Sequence, residues 1–179
     1  MKEKLKVFCH KTNPRIAEPW TSDGFVFATN GQVLIRITGP VEGVIPRFNP
    51  VDCMKVIQEN PEPQEWFPVP DVTPPKEPKE KICDECDGNG ETNCRTCGQV
   101  TDCPECGGIG KIIPAIVITP IEIGGIWFSN LCLHQIKTCF SDAEIGPNEY
   151  PNPARLRFSG GDGLLVPTKQ YCPAQRERR

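Results

Sequence analysis

The sequence predicts an α+β protein: one strand-rich domain with two helices, split along the chain by a proline-rich linker and a cysteine-rich module. Three observations predict it. β-prone runs punctuated by Asn-Gly and Gly-Gly pairs occur toward both ends of the chain, and an amphipathic run of helical spacing follows each. Between them lie seven prolines within 61–78 and three Cys-x-x-Cys pairs within 83–106. The flanking zones, 1–60 and 111–172, are each too small to enclose a core comfortably, so they read as one discontinuous domain.

The first zone contains Phe25-Val26-Phe27-Ala28-Thr29-Asn30-Gly31-Gln32-Val33-Leu34-Ile35-Arg36-Ile37. Asn-Gly between two β-prone runs is a strong hairpin signal, because a type I′ turn needs positive φ at both central residues. With Asn30-Gly31 as the loop, Val26, Ala28, Val33 and Ile35 share one face, while Phe25, Phe27 and Leu34 share the other. Both faces are largely apolar, so burial on two sides is expected. A short helix should follow, capped by Asn49, with Pro50 in the first helical position and Val51, Met54 and Ile57 or Gln58 at helical spacing. Pro61 ends it.

The linker, 61–82, favours extended polyproline-like backbone and cannot hold a helix or a central strand. Trp66 and Phe67 interrupt it. Docking onto the main body is preferred to display as a peptide ligand, since exposed aromatic pairs are costly to leave in water. The last zone reads as strands at 112–118 and 121–123, a Gly124-Gly125 turn, and the run Ile126-Trp127-Phe128. A second helix should run from an N-cap at Ser129 to Phe140, with Phe128, Leu131, Cys132, Ile136, Cys139 and Phe140 on one stripe. Residues 155–158 and 164–166 then form a hairpin around Ser159-Gly160-Gly161-Asp162. The tail, 173–179, ends in Arg176-Glu177-Arg178-Arg179 and reads as solvated.

The chain has 179 residues, 11 cysteines and a net charge of −3. No apolar run approaches the roughly 20 residues that span a bilayer, and Met1-Lys2-Glu3-Lys4-Leu5 lacks the apolar core of a signal peptide. An odd cysteine count without a secretory signal argues for reduced thiols and metal binding in a cytoplasm, not for a disulfide scaffold. The acidic balance argues against a protein that grips many phosphates.

The cysteine pairs are Cys83/Cys86, Cys94/Cys97 and Cys103/Cys106. A Cys-x-x-Cys turn points two thiolates at one ion, and two such knuckles complete the tetrahedral sulfur shell that zinc prefers. Glycines after the second cysteine let the backbone curl around the metal. Sixteen residues separate Cys86 from Cys103, within the range of four-cysteine zinc sites. Pairing Cys94/Cys97 with Cys103/Cys106 leaves only five between knuckles, which is tight. An iron–sulfur cluster is the chemical competitor.

The runs Cys83-Asp84-Glu85-Cys86-Asp87-Gly88-Asn89-Gly90 and Cys103-Pro104-Glu105-Cys106-Gly107-Gly108-Ile109-Gly110 resemble the Cys-x-x-Cys-x-Gly-x-Gly repeats of the DnaJ co-chaperone cysteine-rich domain. That family has four repeats and two zincs; this chain has three, and the resemblance covers 83–110. It implies that Cys83, Cys86, Cys103 and Cys106 hold one zinc ion. Cys94 and Cys97 are then half a site, which would recruit other ligands, pair across a dimer as a second zinc, or stay a dithiol. No J-domain resemblance accompanies the repeats. Between Lys76 and Lys111 there are eight acidic and five basic residues. A four-thiolate zinc centre adds about −2 more, so the module should meet protein, not a phosphate backbone.

Two further stretches resemble a second family. Ala28-Thr29-Asn30-Gly31-Gln32-Val33-Leu34 is similar to a hairpin of the bacterial sliding clamp, the DNA polymerase processivity subunit. Ile123-Gly124-Gly125-Ile126-Trp127-Phe128-Ser129-Asn130-Leu131-Cys132-Leu133 and Phe158-Ser159-Gly160-Gly161-Asp162-Gly163-Leu164-Leu165-Val166-Pro167 resemble clamp-like proteins of bacteriophages. The resemblance implies a single clamp-like domain of antiparallel strands and two helices, interrupted by a zinc-ribbon-like insertion, in a phage-encoded protein of the host cytoplasm. A bacterial clamp has three such domains per chain and basic channel helices; this chain has room for one, and its helices offer only Lys55 and Lys137. Encirclement of DNA by a homo-oligomer is therefore the alternative reading.

Nothing reads as catalytic. Phosphate-loop, nucleophile-elbow and dinucleotide fingerprints are absent. Of the two histidines, His10 and His134, the helical His134 reads as ordinary packing or surface. Gly160-Gly161-Asp162-Gly163 reads as a turn. Four cysteines close a zinc shell and imply structure. The expectation is a non-enzymatic accessory protein that binds a protein of replication, repair or host defence. A small chaperone or thiol redox module is a further alternative.

Overall fold

A computed structural model describes residues 1–46, 52–76, 79–93, 97–112, 114 and 118–168. The elements in chain order are α1 (Lys2–Lys6), β1 (Trp20–Ser22), β2 (Phe25–Thr29), β3 (Val33–Thr38), α2 (Cys53–Glu59), β4 (Phe67–Pro68), β5 (Lys81–Ile82), β6 (Glu91–Asn93), β7 (Val100–Asp102), β8 (Lys111–Ile112), β9 (Pro120–Ile123), β10 (Ile126–Ser129), α3 (Asn130–Cys139), β11 (Glu144–Gly146), β12 (Ala154–Phe158) and β13 (Gly161–Leu165). The class is α+β. The chain divides into two compact units, one from Met1–Pro74 with Ile118–Arg179, the other Pro75–Val117.

The first unit is built on a seven-stranded antiparallel sheet of order β1-β2-β3-β13-β12-β11-β4. Alternation along its strands makes two apolar faces. Val26, Ala28, Val33, Ile35, Leu156 and Leu165 form the larger core with Leu5 of α1, Phe8 just beyond it, Phe128 of β10, and Cys132, Leu133 and Ile136 of α3. Phe27, Leu34 and Leu164 form a second core with Trp20 and with Cys53 and Ile57 of α2. The hairpin residues thus divide between faces as their alternation predicts.

The turn between β2 and β3 differs from the expected one. Thr29 pairs with Leu34, which centres the loop on Gly31-Gln32 and moves the register by two residues. An even shift leaves every side chain on its face. The cause lies in Asn30, whose side-chain oxygen accepts from the Gln32 and Val33 amides at 2.9 Å each. Gly31 has φ +88°, and Asn30 is not in the left-handed region that a type I′ turn requires.

The first predicted helix also needs correction. Its N-cap is Asp52, which accepts from the Lys55 amide, and Asn49, Pro50 and Val51 lie outside the described residues. Residues 61–74, expected as linker, belong to the first unit. Phe67 pairs with Ile145 at the sheet edge, and the Arg157 guanidinium lies 4.3 Å above the Trp66 ring. In α3 the buried stripe includes Leu133, while Leu131 is half-buried. Ser129 occupies its N-cap without a side-chain capping bond. The glycine run is mostly strand: a Cβ on Gly161 or Gly163 would stand 2.2 Å from the Arg36 or Leu34 carbonyl oxygen. Glycine there permits close approach of β13 to β3; only Ser159-Gly160 turns. Of the strand expected at 112–118, Ile112 lies in β8, while 113 and 115–117 are outside the described residues. No described helix is long and apolar enough to cross a membrane.

Candidate metal centre

Among its described residues the second unit has almost no apolar interior. Its buried cluster consists of Cys83, Cys86, Cys103 and Cys106, with Ile112 partly buried against them. Ile82, Val100 and Ile109 are exposed. Two short ribbons frame the cluster: β5 pairs with β8, and β6 with β7. The carbon that these described residues bury cannot by itself offset the ordering of the chain, and units of this size usually rely on a metal or disulfides.

The four sulfurs all lie within 4.8 Å of one another. Across the two halves, Cys83 and Cys103 Sγ are 3.8 Å apart and Cys86 and Cys106 Sγ 3.7 Å. These distances exceed a disulfide by far. They match a tetrahedron's edge, which for metal–sulfur bonds of about 2.3 Å is about 3.8 Å. The donor set and its spacing therefore fit a tetrahedral thiolate-bound ion.

Each half is built the same way, and each is completed by the other. The Gly90 amide donates to Cys86 Sγ at 3.3 Å, and the Gly110 amide to Cys106 Sγ at 3.2 Å. The Cys83 amide donates to the Gly110 carbonyl at 3.0 Å, and the Cys103 amide to the Gly90 carbonyl at 2.8 Å. Amides aimed at sulfur favour the thiolate, the form that binds metal. Burial pushes the Cys83 thiol up to about 12. At Cys106 burial acts the same way, but the Gly110 amide and the neighbouring Cys103, Cys86 and Cys83 thiols prevail and bring it down to about 7.

Of the six predicted ligand cysteines the structure brings these four together. Cys97 is exposed in the β6–β7 connection, and Cys94 lies outside the described residues. The reciprocal carbonyl and sulfur contacts of Gly90 and Gly110 were not foreseen; the identical spacing of the two glycine pairs was their only trace in the sequence. The histidines are elsewhere: His134 Nδ1 is 3.1 Å from the Val72 carbonyl, and exposed His10 accepts from the Thr12 and Asn13 amides. Lys55 pairs with Glu59, and Lys137 donates to the Ser141 carbonyl. Burial pushes the Cys132 and Cys139 thiols up, away from nucleophilic character. Comparison of the chain with protein-family profiles, curated proteins and solved structures returns no match.

Proposed function

We propose that this is a non-enzymatic, zinc-containing accessory protein: a single clamp-like domain, phage-encoded, with an inserted zinc-ribbon-like module that engages a protein of replication, repair or host defence. The observation that carries the reading is the closure of the cysteine cluster. Four buried sulfurs satisfy a tetrahedral ion completely, so no position is left for substrate or water. An ion held there organises backbone and performs no chemistry. The acidic residues around the cysteines favour a protein partner over a phosphate backbone.

The clamp-like part of the reading is supported by the quoted sequence stretches and by the order hairpin, helix, strands, helix, hairpin. It makes ring assembly around DNA the second reading, and the same experiment separates the two. Reduced full-length protein is analysed for metal, and its binding to duplex and single-stranded DNA is measured against salt. One zinc per chain and no salt-dependent DNA binding are expected. Cys83→Ser should lose the zinc and the hydrogen-exchange protection of 83–110 while the sheet amides stay protected. Iron in the site would replace zinc; affinity for DNA falling steeply with salt would make the protein a nucleic-acid clamp; zinc retained by Cys83→Ser would overturn the ligand set.

A further inference from the structure

A groove of about 480 Å³ lies between residues 61–67, the β9–β10 hairpin and residues 147–152, all within the first unit. Close packing fixes its walls. A Cβ on Gly124 would stand 2.9 Å from the Phe67 ring and 3.1 Å from Pro147 Cγ, and one on Gly146 2.3 Å from Pro63 Cγ. Phe67, Ile126 and Pro147, each half-buried, form an apolar side. The polar side offers acceptors. Asn148 is nine-tenths buried, and its Nδ2 donates to the Pro61 and Pro153 carbonyls at 3.2 and 2.9 Å. Those two bonds fix the carboxamide and leave its Oδ1 without a partner among the described residues. That oxygen is not one of the fully enclosed unpaired atoms, so it opens onto the groove that Asn148 lines. Glu65 and Glu149 stand on the exposed rim, paired with no described side chain, whereas Arg155 holds Glu62 at 2.7 Å. Among the described residues no lysine or arginine lines the groove.

We propose that this groove binds an arginine side chain of a protein partner, the guanidinium meeting Glu65, Glu149 and Asn148 Oδ1 and the aliphatic stem lying along Phe67, Ile126 and Pro147. The site belongs to the sheet domain and stands independently of any metal in the cysteine module. Two uncompensated carboxylates and a carboxamide oxygen select a group that is cationic and only donates. A guanidinium presents five N–H donors in a planar fork, enough to reach acceptors on separate walls, and it is less strongly hydrated than the ammonium of a lysine. Its stem can cover apolar surface while its head meets the polar side. Because the walls are packed in place before binding, little ordering opposes it. Ion pairs on an exposed rim are individually weak, so the groove reads one side chain within a larger interface.

The test titrates the blocked tripeptide acetyl-Leu-Arg-Leu-amide into isotope-labelled full-length protein and follows the backbone amide resonances. Shifts should be confined to 61–67, 124–126 and 147–152. The same peptide with citrulline keeps the stem and shape without the charge, and should bind at least about tenfold more weakly. The arginine peptide should lose about as much on the double variant Glu65→Gln/Glu149→Gln, and the lysine peptide should bind the wild type more weakly than the arginine one. Both glutamates are exposed, so the double variant should keep the wild-type spectrum elsewhere. Arginine-peptide shifts absent from the groove, equal binding of the citrulline or lysine peptide, or a double variant that binds as the wild type does would each overturn the assignment.

Discussion

Gly90 and Gly110 lock the two halves of the cysteine module reciprocally. A Cβ on Gly90 would stand 2.3 Å from the Gly108 carbonyl oxygen, and one on Gly110 2.2 Å from that of Gly88. Both glycines also donate their amides to sulfur. The same atoms thus set the approach of the halves and the electrostatics of the thiolates.

Gly110→Ala should therefore open the module. The left-handed conformation costs an alanine about 1–2 kcal/mol, and the clash with backbone adds to it, since neither carbonyl can move without parting the knuckles. Zinc affinity should fall by at least roughly tenfold, which corresponds to about 1.4 kcal/mol. Gly98→Ala is the control: it carries the same conformational cost with open space around it. Competition with a chromophoric chelator measures both. Equal losses in the two variants would mean that the lock contributes nothing.

Metal binding should release protons, and their number should depend on pH in a definite sense. With Cys83 at about 12 in the metal-free cluster, its proton is present at neutral pH and must leave when a metal binds. Cys106 at about 7 is already a thiolate above that value and protonated below it. Proton release per metal should accordingly rise as pH falls through 7, and affinity should drop with it. Calorimetry in buffers of different ionisation enthalpy reads the count directly. A count independent of pH between 6 and 8 would contradict the split between the two thiols.

How much of this was legible in the sequence follows from how local each feature is. The knuckles were readable because cysteine spacing and the following glycines act within a few residues. The two-faced hairpin was readable from alternation, which survives a register shift of two. Its true loop was not, because the Asn30 side chain binds the Gln32 and Val33 amides instead of taking positive φ. The Asp52 cap lost to Asn49-Pro50 on pattern alone. Gly161 and Gly163 looked like a turn because their reason lies in the carbonyls of β3, far away in sequence. α1, β1 and β11 escaped for the same reason: each is short and depends on packing or pairing with distant chain.

Asp142 should carry part of the acid sensitivity of the first unit. The Ser159 hydroxyl and amide, the latter donating at 2.7 Å, hold its carboxyl below the ordinary carboxylate range. A depressed folded value means that the contribution is present above the unfolded value of about 3.9 and is lost as pH falls through the folded one. Asp142→Asn keeps an acceptor near Ser159 but cannot titrate. Its unfolding free energy should change less than the wild type's between pH 5 and 2, as measured by urea titration at each pH. Parallel pH profiles for the two proteins would show that Ser159 does not favour the carboxylate.

Trp20 offers a sharper test of the smaller core. Its side chain is fully enclosed and lies 6.0 Å from the Phe27 ring, centroid to centroid, yet its indole Nε1 has no hydrogen-bond partner among the described residues. An unsatisfied buried donor costs about 1–3 kcal/mol, comparable to what the extra volume of an indole contributes over a phenyl ring. Trp20→Phe removes the donor and part of the volume together, so the two effects should nearly cancel, leaving stability changed by less than about 1 kcal/mol. Trp20→Ala removes the packing as well and should cost about 3–5 kcal/mol. The comparison is made by urea unfolding of the metal-loaded protein, with a sheet-specific probe such as hydrogen exchange at Ile35 and Leu164. A Trp20→Phe loss approaching that of Trp20→Ala would mean that the indole N–H is satisfied and that the polar atom belongs to the core instead of burdening it.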